Sequence, residues 1–119
     1  MKLQIYLLKQ KLRNKVFSSL LFSLSPFLLF DVEEKSMMPV LAPGDSILVC
    51  KFLLIKKGDI IVIKNPQKDR KRKYLIKRVD ALNSNKIYVI GENTKESIDS
   101  RQFGWVERKN VIGKMIAKV

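Results

Sequence analysis

Apolar residues recur mostly every fourth position at the start of the chain, at Leu3, Leu7, Leu8, Leu12, Val16, Leu20 and Leu24. That spacing lines one stripe of an α-helix. Lys2, Lys9, Lys11, Arg13 and Lys15 flank it, so residues 1–25 read as a basic amphipathic helix. The denser apolar stretch, residues 16–30, contains Ser18, Ser19, Ser23, Ser25 and Pro26. It falls short of the roughly 20 apolar residues that a bilayer span needs. It also lies far from any small-residue cleavage site of a secretory signal. Three placements remain: an interfacial helix, a weak signal anchor, or a helix docked on the domain. If it spans, the bases before it keep the N-terminus cytoplasmic and put the rest outside.

After residues 26–31 the period changes from four to two. Strands are predicted over residues 27–32, 46–50, 59–64, 74–79, 86–90 and 111–119, with turns at Pro43-Gly44-Asp45, Lys57-Gly58 and Asn83-Ser84-Asn85. The last turn sets residues 74–79 and 86–90 as a hairpin. Short Ile- and Val-rich strands at regular spacing predict a mostly β domain over residues 26–119, a small antiparallel sheet or barrel-like core.

Composition then narrows the chemistry. The 119 residues are 46% hydrophobic and 29% charged, a globular balance. There is no histidine, so imidazole base, acid and ligand roles are excluded. The one cysteine, Cys50, forms no internal disulfide and no thiolate zinc site, and no metal or cofactor is expected. What remains is chemistry by Ser, Lys, Asp, Glu, Arg or Tyr, or binding by charge. With 24 Lys+Arg against 11 Asp+Glu the net charge is +13. Residues 64–73 hold six of the bases and one acid. Only Tyr74, at the edge, is aromatic there, too little for a base-stacking surface. A solvated loop is the expectation, and no nucleic-acid partner.

Three local patterns stand out by their order. Ser36-Met37-Met38-Pro39 precedes Pro43-Gly44-Asp45; Ile76-Lys77-Arg78-Val79 sits within a strand; Gly91-Glu92-Asn93 leads to Ser97-Ile98-Asp99-Ser100-Arg101 and Phe103-Gly104. Each alone reads as a turn or a solvated lysine. Together they resemble the signal peptidase I superfamily of Ser/Lys endopeptidases, over about residues 31–116. Only 13 residues separate Lys77 from Gly91, so the inserted second domain of larger bacterial leader peptidases is missing. The chain is similar to the compact forms, among them the nickel-type superoxide dismutase maturation proteases, in Lys64-Asn65-Pro66-Gln67, Ile76-Lys77-Arg78-Val79 and the run from Glu92 to Val106.

The resemblance implies Ser36 as nucleophile and Lys77 as general base. A serine hydroxyl needs an adjacent base, and a lysine is a base only when neutral. Its ordinary pKa of about 10.4 must fall toward about 7–8, which burial achieves by penalising the ammonium. Strand alternation sets Leu75, Lys77 and Val79 on one face, giving the amine apolar neighbours, and turns Arg78 to solvent or to a carboxylate. The resemblance further implies that Ser97 orients the lysine and that Asp99 and Arg101 form a supporting ion pair. Met37 and Pro39 shape the turn beside the nucleophile. Where some relatives carry a second oxyanion hydroxyl, two residues before the nucleophile, this chain has Glu34, and Glu92 replaces the family's Asp.

The implied substrate is a precursor polypeptide bound in extended form, paired with residues 27–32 by strand addition. It is either a secretory leader cut outside the membrane or an N-terminal extension on a nickel superoxide dismutase precursor. Membrane association through residues 1–30 is expected, with the catalytic domain extracytoplasmic if residues 1–25 span and cytoplasmic if they do not. A LexA-type self-cleaving regulator shares the dyad but needs a cleavage site and a DNA-binding domain absent here. A non-enzymatic basic module for nucleic acid or anionic membrane accounts for the charge and leaves the three patterns unexplained.

Overall fold

The protein is described by a computed structural model over residues 25–68 and 71–119. The expected N-terminal helix therefore lies outside the described residues, apart from Ser25. The described chain forms one antiparallel sheet of seven strands: β1 (Phe27–Asp31), β2 (Ser46–Cys50), β3 (Ile60–Lys64), β4 (Tyr74–Leu82), β5 (Lys86–Ile90), β6 (Val106–Glu107) and β7 (Val111–Lys118). Their spatial order is β1-β2-β7-β3-β4-β5-β6. The mostly β, half-barrel architecture is the one the period-two pattern predicts.

Local chemistry explains the elements. β2 is buried along its whole length, and β3 along its first four residues, Ile60, Ile61, Val62 and Ile63. Such runs of β-branched residues favour a strand packed on both faces. Two Asp side chains close the turns around them. Asp45 Oδ2 accepts the Ala42 N–H at 2.8 Å, and Asp59 Oδ2 accepts the Lys56 N–H at 2.7 Å. In the β4–β5 hairpin, Asn83 Oδ1 accepts from the N–H groups of Asn85 and Lys86 at 2.9 and 2.8 Å. This loop lets β4 run on to Leu82, three residues past its predicted end. The two-residue β6 and the four-residue helix α1 (Ser100–Phe103) are too short for any period to reveal.

The sheet is strongly curled. Four ladder steps separate β1 from β4, which in a flat sheet would be roughly 19 Å. Yet the Phe30 and Tyr74 rings, one on each strand, meet edge to face at 5.5 Å. Curling divides the apolar residues into two clusters. One gathers Leu28, Val32, Met37, Leu41, Ile47, Val49, Ile60 and Val62. The other gathers Ile61, Ile63, Leu75, Val79, Ile87, Val89 and Val106. Strand alternation deals β3 residues to the two clusters in turn. Lys77 pairs across the ladder with Ile61 and shares the second cluster's face.

Ile61 is fully buried beneath that lysine. Ile61→Ala is expected to cost about 2–5 kcal/mol of stability through the cavity it opens. A denaturant-unfolding midpoint within error of the parent protein would contradict this packing.

Candidate active site

The second patterned segment puts its lysine where apolar neighbours surround it. Lys77 is 1% exposed, between buried Leu75 and Val79 on β4 and opposite Ile61. Burial lowers the pKa of the amine. The charges of Glu34 and Asp99 oppose that shift, and those of Arg101 and Arg72 assist it. Arg78, next along the strand, takes the other course left open by alternation. It ion-pairs with Glu92 and donates Nη1 to the Gly58 carbonyl at 2.6 Å. Glu92 is thus a partner for Arg78.

The third segment builds the support. Asp99 has no exposure, yet its carboxylate is fully provided for. It accepts from the Gly91 N–H at 2.8 Å, the Ser97 hydroxyl at 2.6 Å, the Arg101 N–H at 3.1 Å, and Arg101 Nε and Nη2 at 2.9 and 2.6 Å. Burial alone would raise the pKa of this acid. The Arg101 fork, the Ser97 hydroxyl and the Gly91 and Arg101 amides outweigh it and hold the carboxyl below its ordinary range. The same carboxylate caps α1 in a capping box, with the Gln102 side chain accepting the Asp99 N–H at 2.8 Å.

Ser97 links this acid to the lysine. Its one hydroxyl proton is committed to Asp99, so its oxygen must accept from Lys77 Nζ, 3.1 Å away. One N–H of the amine is thereby tied, which leaves its lone pair one of the two remaining tetrahedral positions. A neutral amine held this way can take a proton from a group on its open side.

Ser36 comes to this place through the backbone. It lies in the turn after β1 and is 2% exposed. Its carbonyl accepts the Asn93 N–H at 2.8 Å, and the Lys35 carbonyl accepts Asn93 Nδ2 at 3.3 Å. A Cβ built on Gly91 would come within 2.8 Å of the Ser36 carbonyl and would overlap the Ser97 hydroxyl. Continuing the β4–β5 register past Arg78 and Ile90 sets Gly91 opposite Lys77. The absent side chain of Gly91 is therefore the space in which the Ser36 turn, Ser97 and the Lys77 strand converge. No hydrogen bond joins the Ser36 and Lys77 side chains; the amine donates to Ser97. Met37 is buried in the first core cluster, while Pro39 is exposed and follows a cis peptide bond.

One feature of the site escapes a reading of the sequence. Arg72, expected in a solvated loop, reaches back to Glu34 at 2.5 Å and Glu33 at 3.2 Å. All three line a cleft with Ser36, Met37, residues 30–32 and residues 74–76. A basic run preceded by two distant acids offers no local signal for this pairing; the curl of the sheet creates it. Among the described residues no cluster of His, Cys, Asp or Glu could hold a metal ion.

A family model described as signal peptidase, peptidase S26, matches residues 15–87 and 80–119. No curated protein matches the chain.

Two outcomes follow from this geometry. Gly91→Ala is expected to destabilise by about 1–3 kcal/mol through overpacking and to displace Ser36 from Ser97. A variant as stable and as active as the parent would refute the convergence on Gly91. For Lys77, the unfolded chain holds a proton that the folded chain releases more readily. The resulting cost to stability is absent above the ordinary pKa of 10.5, grows as pH falls through the window below it, and is complete beneath the folded-state pKa. Lys77→Met should therefore raise the melting temperature at neutral pH, with the gain shrinking as pH rises toward 10.5 and gone above it. A lower melting temperature at neutral pH would mean that the amine is favourably solvated where it sits.

Proposed function

The chain belongs to the signal peptidase family, peptidase S26, and from that premise we propose that it is a serine endopeptidase in which Ser36 attacks and Lys77 acts as base. Support comes chiefly from one observation: a lysine with 1% exposure, lowered in pKa by burial, held by Ser97 beside the Ser36 turn. In this reading Ser36 Oγ adds to the scissile carbonyl carbon while its proton passes to Lys77 Nζ. The Ser36 N–H donates to the oxyanion of the tetrahedral intermediate. The intermediate collapses with proton return from Lys77 to the leaving amine, giving an acyl ester on Ser36. Water, deprotonated by the same amine, then releases the acid. Ser97 acts as a positioning residue, and Asp99 and Arg101 hold Ser97.

The substrate in this reading is a precursor polypeptide in extended form that loses an N-terminal leader. Two features support it. Among the described strands β1 has β2 on one side only and so offers an edge for strand addition beside Ser36. The cleft between β1 and β4 encloses about 60 Å³, room for small side chains before the cut. Residues 1–30, with five bases and no acid, are proposed to seat the domain on a membrane. Among the described residues no helix is long and apolar enough to cross one.

Ser36→Ala should lower the rate of precursor cleavage by about a thousandfold or more while leaving the fold intact. Retained processing by that variant would reject Ser36. For the parent enzyme, kcat/KM is expected to rise with pH through an apparent pKa below 10.5, because the neutral amine is the active form. A profile without such a rise would remove Lys77 from the base role.

A further inference from the structure

Two acids stand next to the reacting groups, and one cation answers them. Glu34 lies two residues before Ser36 and shares its cleft, with a side chain only 30% exposed. Its charge acts on the Lys77 amine more strongly than that of Asp99, which is one hydroxyl away from the same amine. A carboxylate so placed works against the chemistry twice. It favours the ammonium form of the base, and it repels the negative charge that develops on the scissile carbonyl oxygen. Glu33 matters less, because its side chain is 73% exposed and water screens it.

Arg72 is held where it meets Glu34. Its Nε pairs with Glu34 at 2.5 Å, and its Nη1 reaches Glu33 at 3.2 Å. A guanidinium keeps its charge throughout the working pH range, and its planar fork fixes the geometry of a carboxylate partner. The backbone beneath it is anchored by the Lys64-Asn65-Pro66-Gln67 segment, for which the catalytic residues leave no use. Asn65 Nδ2 donates to the Arg72 carbonyl at 2.9 Å, the Asn65 N–H donates to the Lys73 carbonyl at 2.9 Å, and Asn65 Oδ1 accepts the Gln67 N–H at 3.0 Å. Around the amine, Glu34 and Asp99 favour the charged form and Arg101 and Arg72 disfavour it. Asp99 and Arg101 already pair with each other, which leaves Arg72 as the counter-charge to Glu34. Lys35, Lys71 and Glu96 are exposed, in a wider polar cavity that shares Glu33, Glu34 and Arg72 with the cleft.

We propose that Arg72 is a positioning residue of the reaction that acts through Glu34: by holding that carboxylate in an ion pair, it lets the oxyanion form, and the amine stay neutral, beside an acid. The role rests on the Ser36/Lys77 reading. At the position where some relatives carry a hydroxyl donor, this chain carries an acid, and it answers that acid with a cation from the β3–β4 connection.

The test uses the full chain with isotopically labelled lysine, in which the Lys77 resonance is the one missing from Lys77→Met. Relative to the parent, Arg72→Gln should move the titration midpoint of Lys77 to higher pH, and Glu34→Gln should move it to lower pH. On an internally quenched peptide with alanines before the cut, Arg72→Gln should lower kcat by about 10–100-fold with KM within about twofold. Adding Glu34→Gln to Arg72→Gln should recover most of that loss. A midpoint unmoved in Arg72→Gln would overturn the proposal. So would a double variant as slow as Arg72→Gln, the mark of a bridge that merely ties the β3–β4 connection to β1. If circular dichroism shows Arg72→Gln unfolded, Glu34→Gln decides alone, since its midpoint must fall. Loss of cleavage in Ser36→Ala, with both Arg72→Gln readouts unmoved, would sink the role of Arg72 and leave the Ser/Lys reading standing. Cleavage retained in Ser36→Ala would overturn the catalytic role together with that reading, whatever the midpoints.

Discussion

A carboxylate withdrawn wholly from water must be met by donors on every side, and Asp99 is met by five. That requirement organises the rest of the site. It holds the Arg101 guanidinium, starts α1, pins the Gly91 amide at the end of β5, and commits the Ser97 proton. With that proton committed, Ser97 can only accept, so Lys77 has a hydrogen-bond partner that does not require it to be charged. A buried charge costs several kcal/mol when left unpaired; here the charge stays on the acid, and the amine beside it is the group that burial pushes toward neutrality.

The curl of the sheet supplies the other half of the arrangement. A flat ladder would leave the β1–β2 side of the molecule far from β4. Bending brings Phe30 against Tyr74 and carries Glu33, Glu34 and Ser36 to the face where Lys77 lies. Gly91 makes that approach possible, because any side chain there would occupy the place of the Ser97 hydroxyl and the Ser36 carbonyl. Adjacent residues on one strand then have opposite fates. Lys77 faces the core and loses its water, while Arg78 faces outward to Glu92.

Charges around the buried amine are balanced in sign. Glu34 and Asp99 favour the ammonium, Arg72 and Arg101 disfavour it, and burial decides the direction. Arg72 also ion-pairs with both Glu33 and Glu34, offsetting one of the two negative charges at the cleft. The position that carries a hydroxyl donor in some relatives is here part of an ion-pair cluster, so the Ser36 N–H is the donor to which an oxyanion role is proposed.

The strands of the sheet were legible in the chain because side-chain alternation is a local property: six of them can be read from Ile- and Val-rich runs between turns closed by Asp45, Asp59 and Asn83. The patterned segments around Ser36, Lys77 and Ser97 to Arg101 were legible as well, since each carries its motif within a few residues. The face of Lys77 followed from a period of two. The sequence could not say how the segments meet. Strand order, the curl between β1 and β4, the space kept open by Gly91 and the return of Arg72 to Glu34 all join residues far apart in the chain. Such contacts are selected by the summed packing of two apolar clusters, and no window of sequence contains that sum.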